Sequence, residues 1–195
     1  MLKTAEDIVF ENNLDDKEIL AVNFSNMSKE RYLVGKEAED DEILATAESF
    51  ALKAVVVART SDYVNASIHR VVFLQNLAGI LICSSKSREA EKVCREALTL
   101  AQKTFPTGHP FIAQVMHNLA STIHCLAISY KDEALLSEAE SLAFNALVIF
   151  SAQEKSGYIS EWLNLACQRY RAILLGQGLS PEAIRAKLAS LGLQD

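Results

Sequence analysis

AEKVCREALTLAQKTFPTGHPFIAQVMHNLA, residues 90 to 120, decides the fold, because two other stretches of the chain lie over it. These are AESFALKAVVVARTSDYVNASIHRVVFLQNLA, residues 47 to 78, and AESLAFNALVIFSAQEKSGYISEWLNLA, residues 139 to 166. Each opens on Ala-Glu and closes on Asn-Leu-Ala. The openings lie 43 and then 49 residues apart and the closings 42 and then 46, so the repeating unit is about 42 residues with loop-sized insertions and deletions. Self-similarity at a fixed period of roughly 20–50 residues is the signature of stacked supersecondary units. Seven residues after each opening alanine stands another: Ala54, Ala97 and Ala146. A step of seven is two helical turns, so both alanines share a face, and a small residue there lets two helix axes approach closely. The recurrent alanine marks a packing seam.

The rest of the composition agrees. Half of the 195 residues are apolar, while only 7 are Gly and 3 are Pro, so helix breakers are scarce and the chain reads as all-α with one sizeable core. Caps and breakers predict helices over 41–59, 63–83, 88–104, 109–129, 136–153, 158–175 and 181–191, with earlier ones within 4–37, arranged as antiparallel hairpins. Pro110 follows His109 in the first turn, where a missing N–H costs nothing; Ser180-Pro181-Glu182 repeats that logic, and Gly192 stops the last helix.

Charge is uneven. Residues 1–48 carry 13 acidic and 5 basic groups, and the remainder 12 and 14, so the acid belongs to the N-terminal segment. No Lys/Arg stripe offers a footprint for a phosphate backbone, which argues against nucleic acid as a partner. An acidic arm suits a basic protein partner instead. Cys83, Cys94, Cys125 and Cys167 lie in apolar helical contexts without a Cys-x-x-Cys pair, as small core residues in a reducing compartment do. MLKTAEDIVFENN has charges where a signal peptide needs its apolar stretch, and no uninterrupted apolar run approaches about 18 residues. The expectation is a soluble, intracellular, cytoplasmic protein without membrane insertion.

Ala-Leu-x-(Ile/Leu), the twelve-residue step from Ala97 to His109-Pro110, and the nine-residue step from His109 to Asn118-Leu119-Ala120 together resemble the tetratricopeptide repeat (TPR) of the 42-residue, kinesin-light-chain type. The middle copy fits best. The first lacks His-Pro, the third is shortened there, residues 130–137 (YKDEALLS) include a seven-residue insertion, and Ser85 and Ser87 replace the usual Gly and Tyr of one turn. The resemblance, over about 47–175, implies a right-handed α-α solenoid with a concave inner surface lined by the Asn-Leu-Ala helices. It also implies that the asparagine ladder holds an extended peptide, for which an amide offers both donor and acceptor.

Positions on or bordering the face of the repeated asparagine are His69, Gln75, Asn76, Gln114, His117, Asn118, Ser121, Asn164, Gln168 and Arg171. Arg171 suits a carboxylate. The competing reading is that these amides hydrogen-bond between helices and hold the stack, and the two can be true at different copies. His109 is expected to open a helix, and Trp162, at helical spacing with Leu165 and Ala166, to belong to the core. His117, His124 and Cys125 lack the spacing and number of a structural metal site. No Gly-rich phosphate loop, Ser-His-Asp order or His-Glu-x-x-His occurs, and Asp40-Asp41 and Asp132-Glu133 sit in turn-like polar stretches. The sequence therefore predicts no catalysis, no metal and no cofactor.

Residues 1–40 do not match the repeat, yet Ile8, Val9, Phe10, Phe24, Tyr32 and Leu33 make them too apolar for a disordered tail. They are expected either to cap the solenoid or to lie in its groove as a built-in ligand. The expected organisation is an acidic helical cap over 1–40, TPR-like repeats over 41–179 and a capping helix over 180–195. The leading function is a non-catalytic adaptor for a segment of a partner protein. The alternatives are an assembly subunit working through exposed phenylalanines at 73, 111, 144 or 150, and a regulator of an enzyme.

Overall fold

The computed structural model describes residues 17–63, 65–155 and 161–193. Over these run eight helices: α1 (Lys17–Ala38), α2 (Asp41–Arg59), α3 (Ala66–Cys83), α4 (Ser87–Thr104), α5 (Pro110–Tyr130), α6 (Glu133–Lys155), α7 (Glu161–Gly176) and α8 (Pro181–Ser190). No strand occurs among the described residues. The helical content expected over 4–16, and the start expected at 158, lie outside the described residues.

Side chains fix the helix starts. Asp40 Oδ1 accepts the N–H groups of Glu42 and Ile43 at 2.9 and 3.1 Å, and Ser180 Oγ accepts that of Ala183 at 3.3 Å. His109 Nδ1 accepts the N–H of Phe111 at 3.2 Å ahead of Pro110, and its ring stacks on Phe105 at 4.5 Å. The histidine of the His-Pro pair is thus a cap. Asp132 Oδ1 accepts from Ala134 and Leu135 at 2.9 and 3.1 Å, which starts α6 at Glu133 rather than at 136. Most of the YKDEALLS insertion is therefore an extra helical turn.

The chain forms two compact units, Met1–Lys86 and Ser87–Asp195. In the first, α1 and α2 make an antiparallel hairpin that turns at Glu39, whose φ is 52°. Small residues bring their axes together: a Cβ on Gly35 would stand 3.1 Å from side-chain carbons of Ile43 and Leu44, and Ser28 Oγ donates to the carbonyl of Ala47 at 2.9 Å. The seam alanines of α2, Ala47, Ala51, Ala54 and Ala58, are all buried. α1 also runs beside α3 in constant register. Glu18 Oε1 lies 3.6 Å from His69 Nδ1, Asn76 Nδ2 donates to Ser25 Oγ at 3.1 Å, and Tyr32 Oη meets Cys83 Sγ at 3.5 Å. Each pair is 51 residues apart and each step along the helices is seven, the signature of two parallel helices in contact.

In the second unit, Ala90, Cys94, Ala97 and Ala101 of α4 and Ala139, Ala143, Ala146 and Phe150 of α6 are buried. Larger buried side chains of this unit come from the Asn-Leu-Ala helices, including Val115, Leu119 and Ile123 of α5 and Ile173 and Leu174 of α7. Each such side chain taken out of water contributes roughly 1.5–3 kcal/mol. Arg95 of α4 grips Glu138 of α6 with two bonds of 2.7 and 3.0 Å. α8 docks through Ile184 and Leu188, while Glu140 of α6 receives Lys187 Nζ at 2.6 Å and Gln177 Nε2 at 2.9 Å. Burial alone would raise the Glu140 carboxyl, and the bonds from Lys187 and Gln177 outweigh it and hold the pKa below its ordinary value.

By length and composition α3, α5 and residues Glu133–Glu154 of α6 are apolar enough to cross a membrane. None of the three is an uninterrupted apolar run, since each contains polar side chains; they qualify by length and mean hydropathy. In this fold much of their apolar surface, such as Val71, Leu74 and Leu77 of α3, lies in helix packing. The cysteines also differ from expectation: all four are free, but only Cys94 is buried and Cys125 is exposed.

Candidate functional site

The ten nominated residues fall on three helices and meet different fates. On α3, His69 and Asn76 face α1: Asn76 bonds to Ser25, while His69 Nδ1 lies 3.6 Å from Glu18 Oε1 without a hydrogen bond. Asn76 here holds two helices together. Gln75 beside it lines a cavity of about 160 Å³ with Tyr32, Leu33 and Gly79, and its buried Nε2 has no hydrogen-bond partner.

On α5 and α7 the picture reverses. These helices lie side by side in the second unit: the ring of His117 meets Trp162 edge-on, with centroids 5.8 Å apart. Gln114, Asn118 and Ser121 are half-buried on α5, while Asn164 and Gln168 are exposed on α7. Ser121 Oγ donates to the carbonyl of His117 at 3.0 Å. The side-chain amides of Gln114, Asn118, Asn164 and Gln168 make no hydrogen bond to any described residue. Asn164, Gln168, Arg171 and Leu175 follow one stripe of α7, since their steps are four, three and four residues. That stripe ends in a groove of about 260 Å³ lined by Arg171, Leu175, Pro181, Ile184 and Arg185.

His117 belongs to the packing rather than to this face. It is 8% exposed, and burial together with the nearby Arg169 pushes its imidazole down to about 4. His124, one heptad on and 6% exposed, is lowered for the same two reasons, burial first. Both are neutral imidazoles at neutral pH, beside one guanidinium. Trp162, expected in the core, is half-buried as the lid on His117. The third Asn-Leu-Ala carries what the motif could not show: Leu77 and Leu119 are buried, but Leu165 is 47% exposed beside Asn164. The triplet is the same in all three, so the difference lies only in what packs against it.

The described residues contain no group of three or more His, Cys, Asp or Glu placed to hold a metal. Of the phenylalanines weighed for an assembly surface, Phe73 and Phe150 are core, Phe111 is half-buried on His109, and Phe144 is exposed.

No protein-family model matches this sequence, and no curated protein matches it. Solved structures do. Kinesin light chain nearly identical TPR-like repeats from Podosopora anserina are 15% identical, covering 86% of this chain and 76% of that one, with a TM-score of 0.61. BtubC (BKLC) from P. vanneervenii is 14% identical over 91% of this chain and 82% of its own, with a TM-score of 0.42. At such identities the first of these likenesses speaks to architecture alone, and it agrees with the repeated Ala-Glu and Asn-Leu-Ala signals: the fold is an all-α, TPR-like helical repeat.

Proposed function

We propose that the chain is a non-catalytic protein-interaction module that holds an extended segment of a partner protein along α5 and α7. One observation carries this: Gln114, Asn118, Asn164 and Gln168 present side-chain amides that bond to nothing within the described chain, on adjacent helices of one unit. A peptide backbone supplies the acceptors and donors such amides lack. The four histidines support a non-catalytic reading, because each is engaged structurally. His109 caps α5, His69 meets Glu18, and His117 and His124 are packed beside Arg169. In this reading α1 caps the repeat helices of the first unit and α8 those of the second, and the protein works inside the cell, in the cytoplasm.

The test is partner capture. Asn118→Ala/Asn164→Ala loses the partner at unchanged helicity and Tm, whereas Asn76→Ala keeps the partner and loses stability. Retention of the partner by the α5/α7 variant sinks the proposal.

A further inference from the structure

The outward faces of α2 and α6 carry two grooves made from the same repeat positions. In the first unit a groove of about 520 Å³ is lined by Ala45, Glu48, Ser49, Leu52 and Val56, with Lys86 at its edge. In the second, a groove of about 350 Å³ is lined by Ser137, Glu140, Ser141 and Phe144, with Lys187 at its edge. Residues 45 and 137, 48 and 140, 49 and 141, and 52 and 144 are each 92 apart, as are the seam alanines Ala54 and Ala146. Four lining positions recur in the two grooves, while Phe24, Lys53 and Val57 line only the first and Tyr170 and Ser190 only the second.

The likeness extends to chemistry. Lys86 Nζ donates to Glu48 at 2.7 Å and Lys187 Nζ to Glu140 at 2.6 Å, so each groove has a lysine held over its edge by the repeat glutamate. Each leaves a large apolar side chain in water: Leu52 and Val56 of the first are 47% and 54% exposed and Phe144 of the second 38%, with Val148, outside the second groove but one turn on from Phe144, at 43%. At the matching positions of the middle repeat stand Arg95 and Thr99, and Arg95 is engaged by Glu91 and Glu138. The alternation of apolar, polar and apolar is not a packing requirement, because the buried seam lies on the other side of each helix.

We infer that each groove docks an amphipathic helix of a partner protein, one that presents a large apolar residue and, about one turn away, a carboxylate. Ala45, Ser49, Leu52 and Val56 step by four, three and four residues along one face, an open track of about 16 Å at 1.5 Å per residue, which matches three helical turns. Small residues at one end admit a close helix axis, and Leu52 or Phe144 at the other forms the apolar floor. The carboxylate follows from the lysines: an ammonium has three donors, of which Lys86 gives one to Glu48, while Lys187 gives one to Glu140 and also meets Tyr170, so each keeps a donor for an incoming carboxylate. This surface is separate from the amide face of α5 and α7.

Isothermal titration of the full chain with a monomeric stapled helix of about three turns, bearing leucines on one face and glutamates beside them, tests the inference. Two sites per chain are expected. Leu52→Gln or Phe144→Gln, both at solvent-exposed positions, should each remove one site, and the double variant both, at unchanged Tm. The same peptide with lysine for glutamate should bind about fivefold more weakly. Asn118→Ala/Asn164→Ala should leave the titration unaltered, so failure of the amide-face reading is told apart from failure here. Full binding by the double variant, or equal binding of the lysine peptide, overturns the inference. So does a wild-type dimer that becomes monomeric in the double variant, since the grooves would then be contacts between copies of the chain.

Discussion

Asn76 and Asn118 occupy the same place in the repeat and do different work, because their neighbours differ. Asn76 is bonded to Ser25, and the Asn118 amide has no hydrogen-bond partner among the described residues. A half-buried bond of this kind is worth about 0.5–1.5 kcal/mol, so a double-mutant cycle between Asn76→Ala and Ser25→Ala should return a coupling of that size in urea unfolding. Zero coupling would mean the bond contributes nothing. At His117 the chemistry gives a pH dependence. Its folded pKa, about 4, lies below the unfolded value near 6.5, so the unfolded chain binds the extra proton. The histidine's contribution is complete above pH ~6.5 and is lost as pH falls toward 4, by about 3 kcal/mol in all. Carboxylates titrate in the same range, so the readout is a difference. Between pH 7 and 4 the wild type should lose about 3 kcal/mol more than His117→Gln, and equal losses would show that His117 does not resist protonation.

Among the elements, those made from the repeat were legible in place and role, and the first helix only as helical content within 4–37. The seam alanines, the His-Pro start of α5 and the Ser-Pro start of α8 announced themselves because each is a local requirement: a small side chain, a cap, a residue without N–H. Residues 17–38 read as helical and as a cap, not as part of the repeat. Their repeat character lies in which residues meet α2 and α3, namely Ser25, Ser28 and Gly35, and none of these reproduces Asn-Leu-Ala. Packing tolerates several small residues at one position, whereas a motif search asks for one. The α6 start was missed for a simpler reason, since Asp132 was read as turn rather than as cap. The seam makes its own prediction. Ala97 is fully buried, so Ala97→Leu should destabilise by about 1–3 kcal/mol, while Thr99→Leu on the exposed side of the same turn stays within about 0.5. Equal effects of the two would show that α4 does not pack through the alanine face.

For the molecule as a whole, the fold was legible from period and spacing, while the candidate site was legible only as a set of helix faces. The sequence named ten residues on one kind of face; contacts divided them, because α1 engages His69 and Asn76, and packing between α5 and α7 encloses His117. What remains is an amide surface on α5 and α7, and the proposed activity rests on it. The measurement that tests this most directly is quantitative partner capture from cell extract with wild type, Asn76→Ala and Asn118→Ala/Asn164→Ala, with a melting curve taken on each sample. An amide-face site requires full capture at lowered Tm for Asn76→Ala, and lost capture at unchanged Tm for Asn118→Ala/Asn164→Ala. Capture that survives the α5/α7 variant, or that disappears with Asn76→Ala at unchanged Tm, contradicts it.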